Sequence, residues 1–297
     1  MLKALSVCTM LGTLTLSSYA QPLDTLRQRI QSIIATKKAD VGVAIRSIDG
    51  PDTLTINGSS RYPMQSVFKL HIALAVLDRV DRNELQLNQK VRITPTDLLP
   101  NTWSPIRDRY PSGNVALPLA DILQYTVAWS DNNGCDILLR LIGGPSAVNS
   151  YVHSKGITDV AIAANEEQMH ASWNVQFDNW TTPGAAADLL VKLYNGIVVS
   201  DTSFAFIRRV MEDTVTGEKR IKGGVPAGTV VAHKTGTSGT NEKGIAAATN
   251  DIGVVQLPNG KRYAIAVLVA NSTENSETNE QIIAEISRAA WEYFKSK

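Results

Sequence analysis

The segment MQSVFKLHIALAVLDRV, residues 64–80, restricts the fold most strongly, because it has helical spacing and apolar residues on every side. A helix that is hydrophobic all round is usually buried in a larger protein. It nevertheless contains Lys69, and lysine is almost never buried without a partner. Ser66 lies three residues earlier, on the same helical face. The sequence therefore predicts a buried serine–lysine pair, with a capping serine and a solvent-reaching lysine as the alternative.

Strand patterns occur near both ends of the chain. Residues 41–48 and 53–58 alternate around a turn, and a second β-rich region begins at residue 229. This second region contains Asn259-Gly260, a dipeptide typical of β-hairpins. Strands from both ends are therefore expected to form one sheet.

Helical patterns dominate residues 59–209, apart from the aperiodic stretch 158–182. We therefore expect an α/β (α+β) fold with two lobes. Residues 21–58 and 210–297 form a largely antiparallel sheet with flanking helices, and residues 59–209 form an all-helical lobe. A cleft between two such lobes is a favoured place for a ligand site.

Residues 1–20 have the pattern of a secretory signal, with Lys3, an apolar run too short to span a bilayer, and Ser-Tyr-Ala before Gln21. We expect export to the periplasm or the medium. The mature chain would keep one cysteine, Cys135, and hence no internal disulfide. The formal net charge of +1 favours neither nucleic acid nor a membrane surface. No later stretch is long and apolar enough for membrane insertion.

The motif Ser130-Asp131-Asn132 falls at the junction of two helical segments. Serine, aspartate and asparagine are the best capping residues at helix N-termini. Taken alone, this motif therefore predicts a helix cap.

The sequence HKTGTSGTN, residues 233–241, places Lys234, Thr235 and Gly236 at the end or edge of a strand. Gly236 lets a substrate approach the backbone. Lys234 adds positive charge, and Thr235 and Thr237 add hydroxyl donors. The combination suits a carboxylate-bearing ligand along a strand edge, with an ordinary strand-to-turn segment as the alternative.

Together, Ser-x-x-Lys, Ser-Asp-Asn and Lys-Thr-Gly form a signature shared by class A β-lactamases and penicillin-binding proteins. On these motifs the mature chain resembles a class A serine β-lactamase over essentially its whole length. The resemblance implies hydrolysis of penicillins and cephalosporins through a serine acyl-enzyme, and hence β-lactam resistance. It implies a small-molecule β-lactam as the binding partner. We also expect no metal, no other cofactor and a monomer.

By this resemblance Ser66 is the nucleophile, and Lys69, whose charged form is disfavoured by burial, accepts or relays its proton. The backbone N–H groups of Ser66 and Thr237 form the oxyanion hole. Ser130 protonates the departing lactam nitrogen, and Asn132 holds the substrate's side-chain amide. The remaining substrate-binding positions are Lys234, Thr235, Gly236 and Thr237, of which the lysine and the threonines bind the carboxylate.

The family's deacylating glutamate is expected within residues 158–182. Glu166-x-x-Met169-His170 fits the usual Glu-x-x-Leu-Asn spacing, which makes Glu166 the base that activates water. Glu167 is the competing assignment and fits less well. The base for acylation, Lys69 or Glu166, stays open.

The loop around this glutamate departs from the family pattern. His170 replaces the usual asparagine, and Ala164 and Asn179 replace the usual salt-bridge partners. A differently held loop predicts a roomier site, as in the extended-spectrum, cephalosporinase-leaning branch. Trp103 is the expected aromatic gatekeeper, with a surface-packed loop tryptophan as the alternative. Arg220 is a candidate for binding the carboxylate, with a solvated charge as the alternative.

Two rival functions share the three motifs. A D,D-peptidase is expected to lack the deacylating glutamate, and an acylated penicillin sensor is expected to be joined to a transmembrane segment. The four histidines are scattered without ligand spacing, which argues against a metal-dependent lactamase.

Overall fold

The structure, a computed structural model, describes residues 22–297, so the proposed secretory segment lies outside the described residues. Its α-helices are α1 Leu23–Ile34, α2 Phe68–Asp81, α3 Pro105–Arg109, α4 Leu119–Ala128, α5 Asn132–Ile142, α6 Pro145–Ser154, α7 Glu166–Ala171, α8 Pro183–Tyr194, α9 Asp201–Glu212 and α10 Ser276–Phe294. Its strands are β1 Asp40–Ser47, β2 Thr53–Ile56, β3 Tyr62–Pro63, β4 Lys90–Ile93, β5 Val115–Pro118, β6 Val160–Ala161, β7 Trp180–Thr181, β8 Val231–Thr237, β9 Ala246–Gln256 and β10 Arg262–Ser272.

The main sheet has five strands in the order β2-β1-β10-β9-β8, and every neighbouring pair is antiparallel. Two strands come from the beginning of the chain and three from the end, which confirms the predicted sheet. The turn between β9 and β10 contains Gly260 at a φ of 83°. This left-handed conformation suits glycine and explains the hairpin signal.

The two faces of the sheet bury different side chains. On β10, Tyr263, Ile265 and Val267 belong to the core that includes α1 and α10. The alternate residues Ala264 and Ala266 belong to the core of the helical lobe, to which α8 contributes. The side chains of a strand point alternately to its two faces, so this single strand contributes to both cores.

Helix α2 is the centre of the helical lobe and is buried continuously from Phe68 to Leu77. A 3₁₀ turn, Gln65–Val67, precedes it, so the nucleophile candidate lies just before the α-helix rather than within it. The lobe also has two small sheets, β3-β7-β6 and β4-β5. Strands of two to four residues show too little alternation to be recognised in the sequence.

The aperiodic stretch 158–182 folds into short elements, β6, α7, a 3₁₀ turn at Val175–Phe177 and β7. Each is too short to produce a periodic pattern. Within residues 22–297, no helix is long and apolar enough to cross a bilayer.

Candidate active site

Lys69 lies fully buried between the two lobes and is surrounded by oxygen atoms. Its Nζ donates to Ser66 Oγ at 3.0 Å and to the Ser130 carbonyl at 2.9 Å, and it also donates to Asn132 Oδ1. Ser66 is partly exposed and lies in the 3₁₀ turn Gln65–Val67. The predicted serine–lysine pair is therefore present, and Lys69 does not reach solvent.

Glu166 supplies a carboxylate to the same lysine. Its Oε1 lies 2.9 Å from Lys69 Nζ, and the two groups approach as an ion pair rather than as an aligned hydrogen bond. Glu167 is exposed and lines a neighbouring cavity of about 620 Å³. The structure therefore brings Glu166, and not Glu167, to Lys69.

Asp136 fixes the first turn of α7. Its two carboxylate oxygens accept hydrogen bonds from the backbone N–H groups of Glu166 at 2.8 Å and Glu167 at 3.0 Å. Burial raises the pKa of Asp136 to about 6, against the lowering effect of these hydrogen bonds. Asp136 was not among the residues predicted from the sequence. Its position one helical turn after Asn132, on the same face of α5, was the available signal.

Asn179 holds the glutamate loop in the absence of the family's usual salt bridge. Its Oδ1 accepts from the backbone N–H groups of Ala163 at 2.7 Å and Ala164 at 2.9 Å. Its Nδ2 donates to the Ala164 carbonyl at 2.8 Å. A buried amide thus ties the two ends of the loop through backbone atoms, which explains how Ala164 can stand at a position the family uses for a charge.

The three residues of the Ser130-Asp131-Asn132 motif have different roles. Asp131 caps α5 by accepting from Gly134 N at 2.8 Å, and burial raises the pKa of its carboxyl. Ser130 has a left-handed backbone with φ of 58°, a conformation found for few non-glycine residues. The Nδ2 of Asn132 donates to Thr102 Oγ1 at 2.6 Å. The cap prediction is thus right for Asp131, while the flanking residues contact the two buried lysines.

Lys234 is the second fully buried lysine. Its Nζ donates to Ser130 Oγ at 3.0 Å and to the Thr235 carbonyl at 2.9 Å. Burial, followed by the nearby charge of Lys69, lowers the pKa of Lys234 well below its ordinary value. Among residues 22–297, it has no carboxylate partner within salt-bridge distance, and its charge is compensated only by the more distant Asp251 and Glu166.

Gly236 is buried beside the segment that leads to Ser66. A Cβ at this position would lie 2.3 Å from the Met64 carbonyl oxygen. The glycine is therefore required by backbone packing within the protein, a different reason from the substrate approach that the sequence suggested. Thr237, the next residue, is exposed at the cleft.

Arg220 is buried, with 6% of its surface exposed, so the solvated alternative is wrong. Its guanidinium donates to Thr237 Oγ1 at 2.7 Å and to the carbonyls of Gly236 at 3.2 Å and Asn250 at 3.0 Å. Its Nε donates to Glu280 Oε1 at 3.1 Å. The arginine thus lies behind Thr237, one of the predicted carboxylate-binding residues.

Trp103 lies outside the group lining the cleft. Its side chain is 59% exposed, and its indole N–H donates to the Trp129 carbonyl at 2.9 Å. Its neighbour Thr102 lines the cleft instead. In this conformation the surface-packed alternative describes Trp103 better than the gatekeeper role does.

The cleft has a volume of about 820 Å³, including its open mouth. Its walls come from the nucleophile segment, the glutamate loop and the end of β8. Its lining residues include Ser66, Asn132, Glu166, Met169, His170, Trp173, Gln176 and Thr237. Within residues 22–297, no group of three or more histidine, cysteine or acidic side chains is placed to hold a metal ion.

The model of the "Beta-lactamase enzyme family" matches residues 25–294. The chain is 50% identical to β-lactamase VEB-1 of Pseudomonas aeruginosa over 276 residues, 92% of each chain. It is 45% identical to the extended-spectrum β-lactamase PER-1 of the same species, over 98% of this chain and 95% of the relative. The crystal structure of TLA-3 extended-spectrum β-lactamase superimposes with a TM-score of 0.91 at 49% identity, covering 92% of this chain and all of the other. A class A β-lactamase of Bacteroides cellulosilyticus is similar at 39% identity, with a TM-score of 0.89 and coverage of 92% and 98%. The chain therefore belongs to the β-lactamase enzyme family, in class A.

Proposed function

We propose that this protein opens the β-lactam ring of penicillins and cephalosporins through an acyl-enzyme on Ser66, and so confers resistance to them. The observation that carries the proposal is the position of Lys69 Nζ, 3.0 Å from Ser66 Oγ and 2.9 Å from Glu166 Oε1. A nucleophile, a proton carrier and a carboxylate base are thus in contact before substrate arrives. The same three groups would serve both chemical steps.

In acylation, Ser66 Oγ attacks the lactam carbonyl while Lys69, which passes one ammonium proton to Glu166 before or during the attack, takes up the proton of the hydroxyl. Backbone N–H groups of Ser66 and Thr237 stabilise the negative charge that develops on the carbonyl oxygen. The C–N bond then breaks, and Ser130 delivers a proton to the nitrogen. Lys234, 3.0 Å from Ser130 Oγ, favours this transfer because its charge stabilises the partly deprotonated hydroxyl.

In deacylation, Glu166 removes a proton from water as the water attacks the ester. Asp136 and Asn179 hold this carboxylate in place by fixing the start of α7 and the ends of its loop. His170 lies beside Glu166 in the lining of the cleft, where the family usually has asparagine. A glutamate that activates the deacylating water distinguishes the proposed β-lactamase from an acylated sensor or a D,D-peptidase.

We further propose a preference for cephalosporins, including those with bulky oxyimino side chains. Two observations support it: the altered fastening of the glutamate loop by Asn179 and a cleft of about 820 Å³. PER-1 and TLA-3, which are similar to this chain, carry the description extended-spectrum in their names. We also propose that residues 1–20 direct export to the periplasm and that the protein acts as a monomer.

The test is a comparison of kcat/KM for benzylpenicillin, a simple cephalosporin and an oxyimino cephalosporin with the purified mature protein. We expect turnover of all three, with the cephalosporins hydrolysed at least as efficiently as the penicillin. A strong preference for the penicillin would reject the specificity, and absence of turnover on all three would reject the activity. A Ser66→Gly variant serves as the control for background hydrolysis.

A further inference from the structure

Strand β9 carries three consecutive polar residues, Thr249, Asn250 and Asp251, within an otherwise apolar buried run. The side chain of Asn250 has no exposed surface. Its Nδ2 donates to the carbonyl oxygens of Pro63 at 2.8 Å and Met64 at 3.2 Å, and its Oδ1 accepts from Val269 N at 3.2 Å. A buried amide that satisfies its hydrogen bonds in this way holds the groups it contacts firmly.

Asn250 lies opposite Gly236 in the register of β8 and β9. The Met64 carbonyl occupies the space beside Gly236 that a Cβ would need, 2.3 Å away. Gly236 and Asn250 thus form a socket for the Met64 carbonyl: the glycine leaves the space, and the asparagine supplies the donor. Arg220, which lies outside both strands, donates to the backbone carbonyl oxygens of Gly236 and Asn250.

The backbone that leaves the socket is strained. Gln65 follows Met64 directly and has a φ of 47°, in the left-handed region. Such a conformation persists in a non-glycine residue only where its surroundings determine it. Ser66 comes next, so the direction of its N–H depends on how Met64 is held. Thr237 follows Gly236 directly, which places the second proposed oxyanion donor at the other side of the same socket.

We propose that Asn250 is a positioning residue for the oxyanion hole. It touches no substrate; it acts by fixing the Met64 carbonyl, and through it the backbone of Gln65 and Ser66. The N–H groups of Ser66 and Thr237 then converge on one point, where the lactam oxygen becomes negative. The inference rests on the proposed acyl-transfer function.

The test uses Asn250→Asp, which keeps the shape and the acceptor for Val269 N but replaces the donor with an oxygen facing two carbonyls. We expect the acylation rate constant for a chromogenic cephalosporin to fall about 10²-fold, as after loss of one oxyanion donor. Affinity for phenylboronic acid, which forms a tetrahedral adduct on the serine, falls in parallel. The dissociation constant of the non-covalent substrate complex stays within about twofold, since a positioning effect is confined to the transition state.

The matched control is Asn279→Asp on α10. Asn279 is also a buried amide, and its Nδ2 donates to the Glu274 carbonyl at 3.5 Å, a contact that aspartate loses, but it lies outside the cleft lining. This variant is expected to lose thermal stability while its acylation rate and boronate affinity stay unchanged. If Asn250→Asp does not fold, Asn250→Ser, whose hydroxyl keeps one donor, is measured in the same way and should show a smaller loss in the same two quantities.

Unchanged acylation in the Asn250 variant, or equal losses in the Asn279 control, overturns the proposal. Loss of substrate affinity with an unchanged acylation rate constant also overturns it. Failure of the proposed function gives a different result, because the wild-type protein would then form either no acyl-enzyme or an acyl-enzyme that persists without turnover.

Discussion

The two buried lysines, Lys69 and Lys234, have opposite surroundings although both are fully buried and both contact Ser130. Lys69 has a carboxylate, Glu166, at 2.9 Å and further oxygens around its ammonium group. Lys234 has one hydroxyl and one backbone carbonyl, and no carboxylate of residues 22–297 lies within salt-bridge distance. Burial accordingly lowers the pKa of Lys234.

The difference indicates what each lysine does. An ion pair that is complete without substrate suits a group that exchanges protons with its neighbours, and we therefore propose that Lys69 takes part in the proton transfers of the reaction. A buried cation without its own anion is unfavourable and gains most from an anionic ligand. We therefore propose that Lys234 binds the substrate carboxylate, whose negative charge would offset the unfavourable burial of the lysine.

The largest expected effect is that of Lys69→Met. Acylation should fall by about 10³- to 10⁴-fold, since the variant loses the proton carrier for Ser66. The free energy of unfolding should also fall by about 3 kcal/mol, because Glu166 is left as an unpaired, largely buried charge. Stopped-flow acylation and urea denaturation measure the two quantities. A variant that is more stable than the wild type would contradict the ion-pair description.

Lys234→Met should have the opposite effect on stability. Removing an uncompensated buried charge is expected to stabilise the free enzyme by about 1–3 kcal/mol at neutral pH. Catalytic efficiency should nevertheless fall by about 10²- to 10³-fold for carboxylate-bearing substrates, because a charge-assisted contact is lost. The same substrates with the carboxylate masked as an ester are the control and should lose much less. Equal losses on acid and ester would separate Lys234 from carboxylate binding.

Asp136→Asn tests the acidic surroundings of Lys69 through the pH dependence of the free energy of unfolding. The pKa of Asp136 is raised from 3.8 to about 6, so between these values the folded protein holds a proton that the unfolded chain releases. Stability of the wild type relative to Asp136→Asn should therefore decrease as pH rises from about 4 to 6, by up to about 3 kcal/mol. Urea denaturation across this range measures the difference, and a pH-independent difference would refute the assignment.

The smallest expected effect is that of Arg220→Ala. Because the guanidinium reaches the cleft through Thr237 Oγ1, the KM for carboxylate-bearing substrates should rise several-fold with little change in kcat. Thr237→Ala should raise KM comparably, and the double variant should add little to either single change, since both act on one contact. Fully additive effects would mean that Arg220 acts independently of Thr237.

Much of this arrangement was predictable from the sequence because its signals are local or follow a regular period. The all-round apolar pattern of α2 gave the buried position of Lys69, and the alternation and turn residues gave the sheet and its last hairpin. Glu166 was distinguished from Glu167 by its fit to the family's Glu-x-x-Leu-Asn pattern, which the resemblance supplied. These features depend on neighbours in the chain and are visible in any window that contains them.

The missed features depend on contacts between distant segments. Asn250 and Met64 are 186 residues apart in the sequence, and no pattern in β9 indicates which carbonyl its buried amide meets. The role of Gly236 likewise depends on the approach of another segment. The burial of Arg220 depends on its contacts with β8 and β9, which are distant in the sequence. The orientation of Trp103 likewise depends on the hydrogen bond from its indole N–H to the Trp129 carbonyl.

The most direct test of the central claim is the intact mass of the purified mature protein during reaction with a chromogenic cephalosporin, with absorbance followed in parallel. For the wild type we predict rapid turnover with little lasting adduct, and for Glu166→Gln a stoichiometric adduct on Ser66 that persists. That result would place Lys69 and Glu166 in a working acylation and deacylation cycle. A lasting stoichiometric adduct on the wild type, without turnover, would contradict the account and indicate a penicillin-binding peptidase or sensor.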